Sequence, residues 1–403
     1  MTRSVPAALA TMQAAVPLLP SLISLLGFSI PGVSLVPLPV AYGLVVLIAL
    51  FAVYSFLVLA RTPDRPSPLR AALLAWWAAV VLAALAGFHP ERGALFLVFF
   101  GLAIVWHEVL HRFYTHAGTL RAVLGAFCLS GLAASVIAIV TVVLRKPAAL
   151  YVIAHGRAVG TFVVPGELAG YALVLVPIAA ATGMLARARW LRLSGWAAAA
   201  TGTAALILSF SRTGWVAAAC ACAFFLACTL RGAAKRWTVV AVAAALIAVA
   251  VLFNAHHNPS ENYTRLSIWQ AAFGMIDRFP LTGVGPFDFA VLYPALRLPD
   301  GDPVAYHAHS VYLTLFAETG IVGLAAFAYT WYRFARTFGE AIRNAQPRDA
   351  TFAFAVAAAL VGTLVQGIID TVTLVLFGLW LPTMALALGA ARHGLYDGDG
   401  TCA

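Results

Sequence analysis

Residues Leu38-Pro39-Val40-Ala41-Tyr42-Gly43-Leu44-Val45-Val46-Leu47-Ile48-Ala49-Leu50-Phe51-Ala52-Val53-Tyr54-Ser55-Phe56-Leu57-Val58-Leu59-Ala60 pass without one charged side chain. A helix needs about 20 mostly apolar residues to cross roughly 30 Å of hydrocarbon, and this stretch meets that length. Working outward, the same pattern recurs near 10–30, 69–87, 93–110, 121–144, 164–185, 191–208, 213–230, 237–253, 310–332, 351–369 and 372–391, about twelve spans together with 38–60. Composition agrees: 63% of the 403 residues are hydrophobic, 10% are charged, and the mean hydropathy is +0.93. A soluble domain carries about 25% charged residues around its core. The soluble classes are excluded, and the reading is an all-α polytopic membrane protein. Pro17 and Pro20 interrupt the first span, and no cleavage site follows Arg3, so no signal peptide is expected.

The formal charge is +10, from 25 Lys and Arg against 15 Asp and Glu. In a membrane chain such an excess sets orientation before it suggests nucleic acid, because cytoplasmic loops collect cations. With the N-terminus in the cytoplasm, alternate loops hold Arg61, Arg65, Arg70, Arg112, Arg121, Arg187, Arg189, Arg192, Arg231, Lys235, Arg236, Arg333, Arg336, Arg343 and Arg348, with Arg3 and Arg392 at the ends. That leaves Arg92, Arg145, Lys146, Arg157, Arg212, Arg265, Arg278 and Arg297 on the outer side. Arg92 follows Glu91 and reads as a solvated turn residue. The five cysteines lack ligand spacing, so neither a zinc site nor a disulfide framework is expected. Cys220, Cys222 and Cys228 read as small packing residues of a helix.

The chain reads as a single transmembrane domain over 1–403, with one long outer loop at 254–309 between the ninth and tenth spans. After the turn Asn254–Pro259, a helix is expected from Asn262 or Thr264 to Phe279. Leu266, Trp269, Phe273 and Ile276 form its apolar stripe, and Trp269 is expected to anchor it on the membrane surface. Pro280 ends it. Gly283-Val284-Gly285-Pro286 is a tight turn, since no strand precedes it to support a nucleotide fingerprint. Asp300-Gly301-Asp302 likewise reads as a turn rather than a cation site.

Four positions carry chemistry. His309 stands where the outer loop enters a span; it is either an interfacial histidine or a proton-transfer group with an ordinary pKa near 6.5. On a continuous helix Glu318 lies roughly 14 Å further along, in the apolar layer, where a carboxylate needs a partner such as a hydroxyl or arginine. Arg212 and Arg265 offer planar forks of donors suited to phosphate, while either alone reads equally as a headgroup-snorkelling residue. Ser211-Arg212-Thr213-Gly214 adds hydroxyls and amides at a helix start, which also favours an anion.

Three segments together resemble the O-antigen ligase and polymerase superfamily of bacterial envelope glycosyltransferases. They are Ser211–Gly214; Arg265-Leu266-Ser267-Ile268-Trp269 with Pro280–Gly285; and His309-Ser310-Val311-Tyr312-Leu313 with Glu318–Gly323. Arg157–Phe162 before Pro165 is a fourth match. There the chain departs from its relatives, which often carry Asn after the proline where Gly166 and Glu167 stand. The resemblance covers roughly residues 155–325. It implies a GT-C-like fold in the bacterial inner membrane, both termini cytoplasmic and the active site periplasmic. It also implies a glycan donor on undecaprenyl pyrophosphate, moved without metal or other cofactor to lipid A-core oligosaccharide, with no nucleic-acid partner beside the membrane lipids. His309 would be the base. Arg212 and Arg265, with Arg145, Lys146 and Arg157, would receive the pyrophosphate, and Glu318 and Ser211 would support them. A ligase leads, because one large outer loop is found rather than two and the chain ends near Arg392–Ala403 without a further domain. A polymerase or a protein O-oligosaccharyltransferase of the same superfamily is the alternative; a twelve-helix transporter or an envelope scaffold is more remote.

Overall fold

The computed structural model describes residues 4–25, 37–63, 65–162, 164–230, 259–299, 301–370 and 374–395, with Gly232, Trp237, Val240, Ala241 and Ala244. Arg3, Asp300, Arg231, Lys235, Arg236, the turn at 254–258 with His256 and His257, and nearly all of the span expected at 237–253 lie outside these residues.

Among the described residues the chain is helical, without strands. Short α1 (Val5–Ala15) and α2 (Leu19–Leu25) are joined by a 3₁₀ turn at Val16–Leu18, where Pro17 interrupts the ladder. Next come α3 (Leu38–Arg61), α4 (Arg70–Ala86), α5 (Pro90–Phe113), α6 (Ala117–Leu144) and the short α7 (Ala148–Ile153). They are followed by α8 (Pro165–Leu185), α9 (Arg189–Leu208) and α10 (Arg212–Thr229). The outer loop holds α11 (Pro259–Arg278) and α12 (Phe289–Leu296), and α13 (Val311–Ile342), α14 (Pro347–Gln366) and α15 (Leu374–His393) complete the fold. Proline opens α5, α8 and α14, where its missing N–H costs nothing. Nine of the described helical segments are long and apolar enough to cross a membrane, and α4 is a shorter apolar helix. The protein is a multi-pass membrane protein; nine spans, not twelve, are met among the described residues.

Hydrogen bonds between distant segments sort the helix ends into two sets. At one end Arg112 donates to Leu59 O (3.0 Å) and Thr62 Oγ1 (2.6 Å), Leu395 N to Asp349 Oδ1 (2.8 Å), and Arg348 to Leu185 O. Most loop arginines lie here, so this is called the basic end. At the other, Phe88 N donates to Val284 O (3.1 Å), Ala158 N to Leu208 O (2.9 Å) and Val311 N to Gly367 O (2.8 Å). The outer-loop helices lie at this second end.

One feature of the basic end is unmarked in the apolar pattern. His107 (0% exposed) and Glu108 (4%) sit on α5. His107 Nδ1 donates to Leu381 O at 2.7 Å, its Nε2 meets Ser67 Oγ at 2.7 Å, and Glu108 Oε2 accepts from Arg70 Nη2 at 2.8 Å. Buried polar groups in a membrane protein need such partners, and these tie α5 to α15 and to the start of α4.

The long helix α13 is broken. Gly320 has φ 62°, ψ −169°, a conformation essentially restricted to glycine. The break frees backbone groups, and the turn after α11 takes them up. Ile321 N donates to Pro280 O (2.8 Å), while Val284 N and Gly285 N donate to Ala317 O (2.9 Å) and Glu318 O (3.0 Å). The segment after α11 is thereby stitched into the kink, and a Cβ on Gly320 would stand 2.1 Å from Leu281 O.

Candidate functional site

The N-terminus of α13 is assembled from several directions. Ser310 caps it, its hydroxyl accepting from Leu313 N. Val311 N bonds Gly367 O, joining the start of α13 to the end of α14. His309 precedes the cap with φ 47°, in the left-handed region, and its N–H donates to Nδ1 of His307 at 3.2 Å. The two rings meet edge to face, 4.5 Å between centroids. Ala308 between them is clamped: its N–H donates to Thr314 Oγ1 (3.1 Å) and its carbonyl accepts from Trp269 Nε1 (2.9 Å).

Trp269, expected as a membrane anchor, fastens the His309 segment to α11 through this bond. The helix packs through Ile268, Ala271, Ala272, Met275 and Ile276, whereas Leu266 and Phe273 are exposed. Of the expected stripe Leu266 and Phe273 stay exposed while Ile276 packs inward, because both sides of α11 carry apolar residues and the partner element decides which is buried.

Arg265 lies one turn before Trp269 and donates through Nη1 to Ile369 O at 3.3 Å. The next residue is Asp370. Its carboxylate lies against the first turn of α8, where a Cβ on Gly166 would be 2.4 Å from Asp370 Oδ2. Gln366, wholly buried, donates to Gly166 O at 2.9 Å. His309, Arg265 and Asp370 thus come together beside Pro165–Glu167. Burial pushes the His309 imidazole below its ordinary value; the Asp370 carboxylate pulls it back up, Arg265 opposes that, and Asp302 adds a second upward pull. His307 is pushed well below the ordinary value, chiefly by burial and next by His309. Both rings are held toward the neutral form.

Arg212 is the first residue of α10, half-buried, after a turn closed by Ser211 N to Ser209 Oγ (3.2 Å) and Gly214 N to Ser211 Oγ (3.2 Å). Gly214 abuts Ala169, bringing the first turn of α10 onto that of α8. Arg212 and the His309 cluster consequently border the same helix start. The Ala158 N to Leu208 O bond holds half-buried Arg157 near this connection, its Nε donating to Ala154 O at 3.4 Å. Arg145 and Lys146 are exposed at the end of α6.

Glu318 sits elsewhere. Because α13 breaks two residues later, its carboxylate does not continue down an unbroken helix: Oε1 accepts from Phe289 N at 3.4 Å, at the start of α12. Its partner is a backbone amide rather than a hydroxyl or arginine. Asp288 beside it is wholly buried and accepts from His89 N (2.8 Å) and His89 Nδ1 (3.0 Å). Arg92, expected as a solvated turn residue, donates to Phe287 O at 3.4 Å. These contacts dock the outer loop on the α4–α5 connection. Among the described residues no group of three or more His, Cys, Asp or Glu side chains is arranged to hold a metal ion.

Asp370 escaped the sequence reading. Its one signal was a carboxylate in the short connection between the last two expected spans; nothing local tied it to His309.

Residues 197–328 match the family model described as O-Antigen ligase. That match supports membership of the O-antigen ligase superfamily through this region of the chain. Members are glycosyltransferase-like enzymes working on lipid-linked glycans in a membrane. The matched region takes in Ser211, Arg212, Arg265, His309 and Glu318, whereas Arg145, Lys146, Arg157 and Asp370 lie outside it. No curated protein matches the chain.

Proposed function

We propose that this member is an O-antigen ligase with a GT-C-like, twelve-span architecture in the bacterial inner membrane, both termini and the basic end cytoplasmic and the His309 end periplasmic. It moves a glycan from undecaprenyl pyrophosphate to lipid A-core oligosaccharide. The observation that carries the reading is the meeting of His309, Arg265 and Asp370 at the first turn of α8, with Arg212 on the adjoining first turn of α10.

In this reaction the acceptor hydroxyl oxygen attacks the anomeric carbon as the bond from that carbon to the pyrophosphate oxygen breaks. The leaving undecaprenyl pyrophosphate keeps the bonding electrons. His309 accepts the hydroxyl proton, for which its lowered pKa suits it. Asp370 stabilises the imidazolium formed. Arg212 and Arg265 meet the charge growing on the leaving oxygen; Arg157, with Arg145 and Lys146, draws in the anionic headgroup. A single displacement inverts the linkage.

The test is incubation of purified full-length protein with lipid-linked glycan and lipid A-core. Transfer to the core, absent with His309→Ala, supports the proposal. Elongation of the lipid-linked chain instead would assign a polymerase, and no transfer to either acceptor would overturn the reading.

A further inference from the structure

A groove of about 230 Å³ runs along the bundle between α8, α10 and α14, lined by Val176, Ala180, Met184, Cys222, Phe225 and Ala355 among others. The α8 residues recur every four positions, so the groove follows the helix axis, and its wall is apolar but for Thr351 and Cys222. Toward the site end its lining residues Ala172, Leu206 and Ala218 pack with buried Ala169 and with Trp215, whose Nε1 donates to Leu206 O at 3.0 Å. Toward the basic end it reaches Met184, Leu185 and Thr351. There Arg348 donates to the Leu185 carbonyl, so a guanidinium is fixed at the mouth. Arg187 and Arg189 follow within four residues of Leu185, both exposed. The neighbouring carboxylate, Asp349, accepts from Leu395 N at 2.8 Å. Trp190 and Trp196, each 48% exposed, stand on the same end, as aromatic side chains do at headgroup depth.

We infer that this groove binds an anionic glycerophospholipid from the leaflet at the basic end, one acyl chain lying along α8 and the phosphate held by Arg187, Arg189 and Arg348. The cationic mouth selects a headgroup with net negative charge. Basic clusters between spans on the cation-rich side take anionic headgroups, with each Arg near the surface contributing about fivefold in binding. The site is separate from the His309 cluster and independent of the proposed reaction.

The experiment is native mass spectrometry of the full-length protein in mild detergent, titrated with phosphatidylglycerol, phosphatidylcholine of the same chains, or a polyprenyl phosphate. Phosphatidylglycerol is expected to bind at least tenfold better than phosphatidylcholine. Arg187→Gln with Arg189→Gln removes that preference, about fivefold for each arginine, and Cys222→Phe, which fills the groove from its exposed wall, reduces retention of both phospholipids. If Cys222→Phe does not fold, the surface arginine pair decides alone. Equal retention of the two phospholipids, a preference for the polyprenyl phosphate that Arg187→Gln with Arg189→Gln abolishes, or a phospholipid selectivity indifferent to the arginine pair would each overturn the inference.

Discussion

His309 takes its protonation state from burial, which lowers its pKa, and from Asp370 and Asp302, which raise it against Arg265. A general base works only when neutral, so activity is lost as pH falls through the folded pKa. The acid limb of the pH–rate profile is therefore expected below the ordinary histidine value of about 6.5. Asp370→Asn removes an upward pull and should move that limb to still lower pH while reducing turnover; an upward shift, or no shift, contradicts the pairing. His309→Ala should cost about 10²–10⁴-fold in rate with donor binding retained. His307→Ala, at equal expression, should cost less, because His307 supports the backbone N–H of His309 through its Nδ1 rather than facing the acceptor. Near-normal turnover in His309→Ala would remove the base assignment.

At the scale of elements, the His309 segment is held by α11 on one side and the end of α14 on the other. Trp269→Phe keeps the ring but deletes the donor to Ala308 O, leaving that acceptor unmet at about 1–3 kcal/mol. Turnover should fall more than donor affinity does, read as a kcat loss with little change in KM. The kink in α13 carries a different kind of sensitivity. Gly320→Ala forces a conformation that costs about 1–3 kcal/mol before any clash, and the added Cβ would strike Leu281 O. A lower melting temperature and loss of transfer together are expected. Glu318→Gln keeps an acceptor for Phe289 N and should change little, whereas Glu318→Ala should lower stability without moving the pH profile. A shifted profile in Glu318→Ala would give that carboxylate a part in the chemistry.

Across the whole molecule, the end bearing His309 gathers Arg157, Arg212 and Arg265 around the start of α8, with Asp370 as the carboxylate facing His309. On the proposed reaction the positive side chains there would meet the leaving pyrophosphate, so transfer is expected to persist in excess chelator. Strong inhibition, reversed by magnesium or manganese, would defeat that expectation. The opposite end holds the remaining loop arginines and its own network, Arg70–Glu108 and Ser67–His107. Substitutions there should act on stability and lipid selectivity rather than on the pH dependence of transfer.

That the chain is helical and crosses a membrane several times was legible from the residues alone, because length and local composition decide whether a helix can cross hydrocarbon and both are properties of one window of chain. Arg212, Arg265 and His309 stood out as charged or titratable groups where an apolar chain has few. Only the tertiary structure brought Asp370 to His309, bonded Trp269 to Ala308 O, and broke α13 at Gly320 so that Glu318 serves the outer loop. Each of these depends on a partner far away in sequence. A periodic pattern records that a face is apolar or a residue polar; which element meets it is decided by packing, and packing is a property of the whole chain.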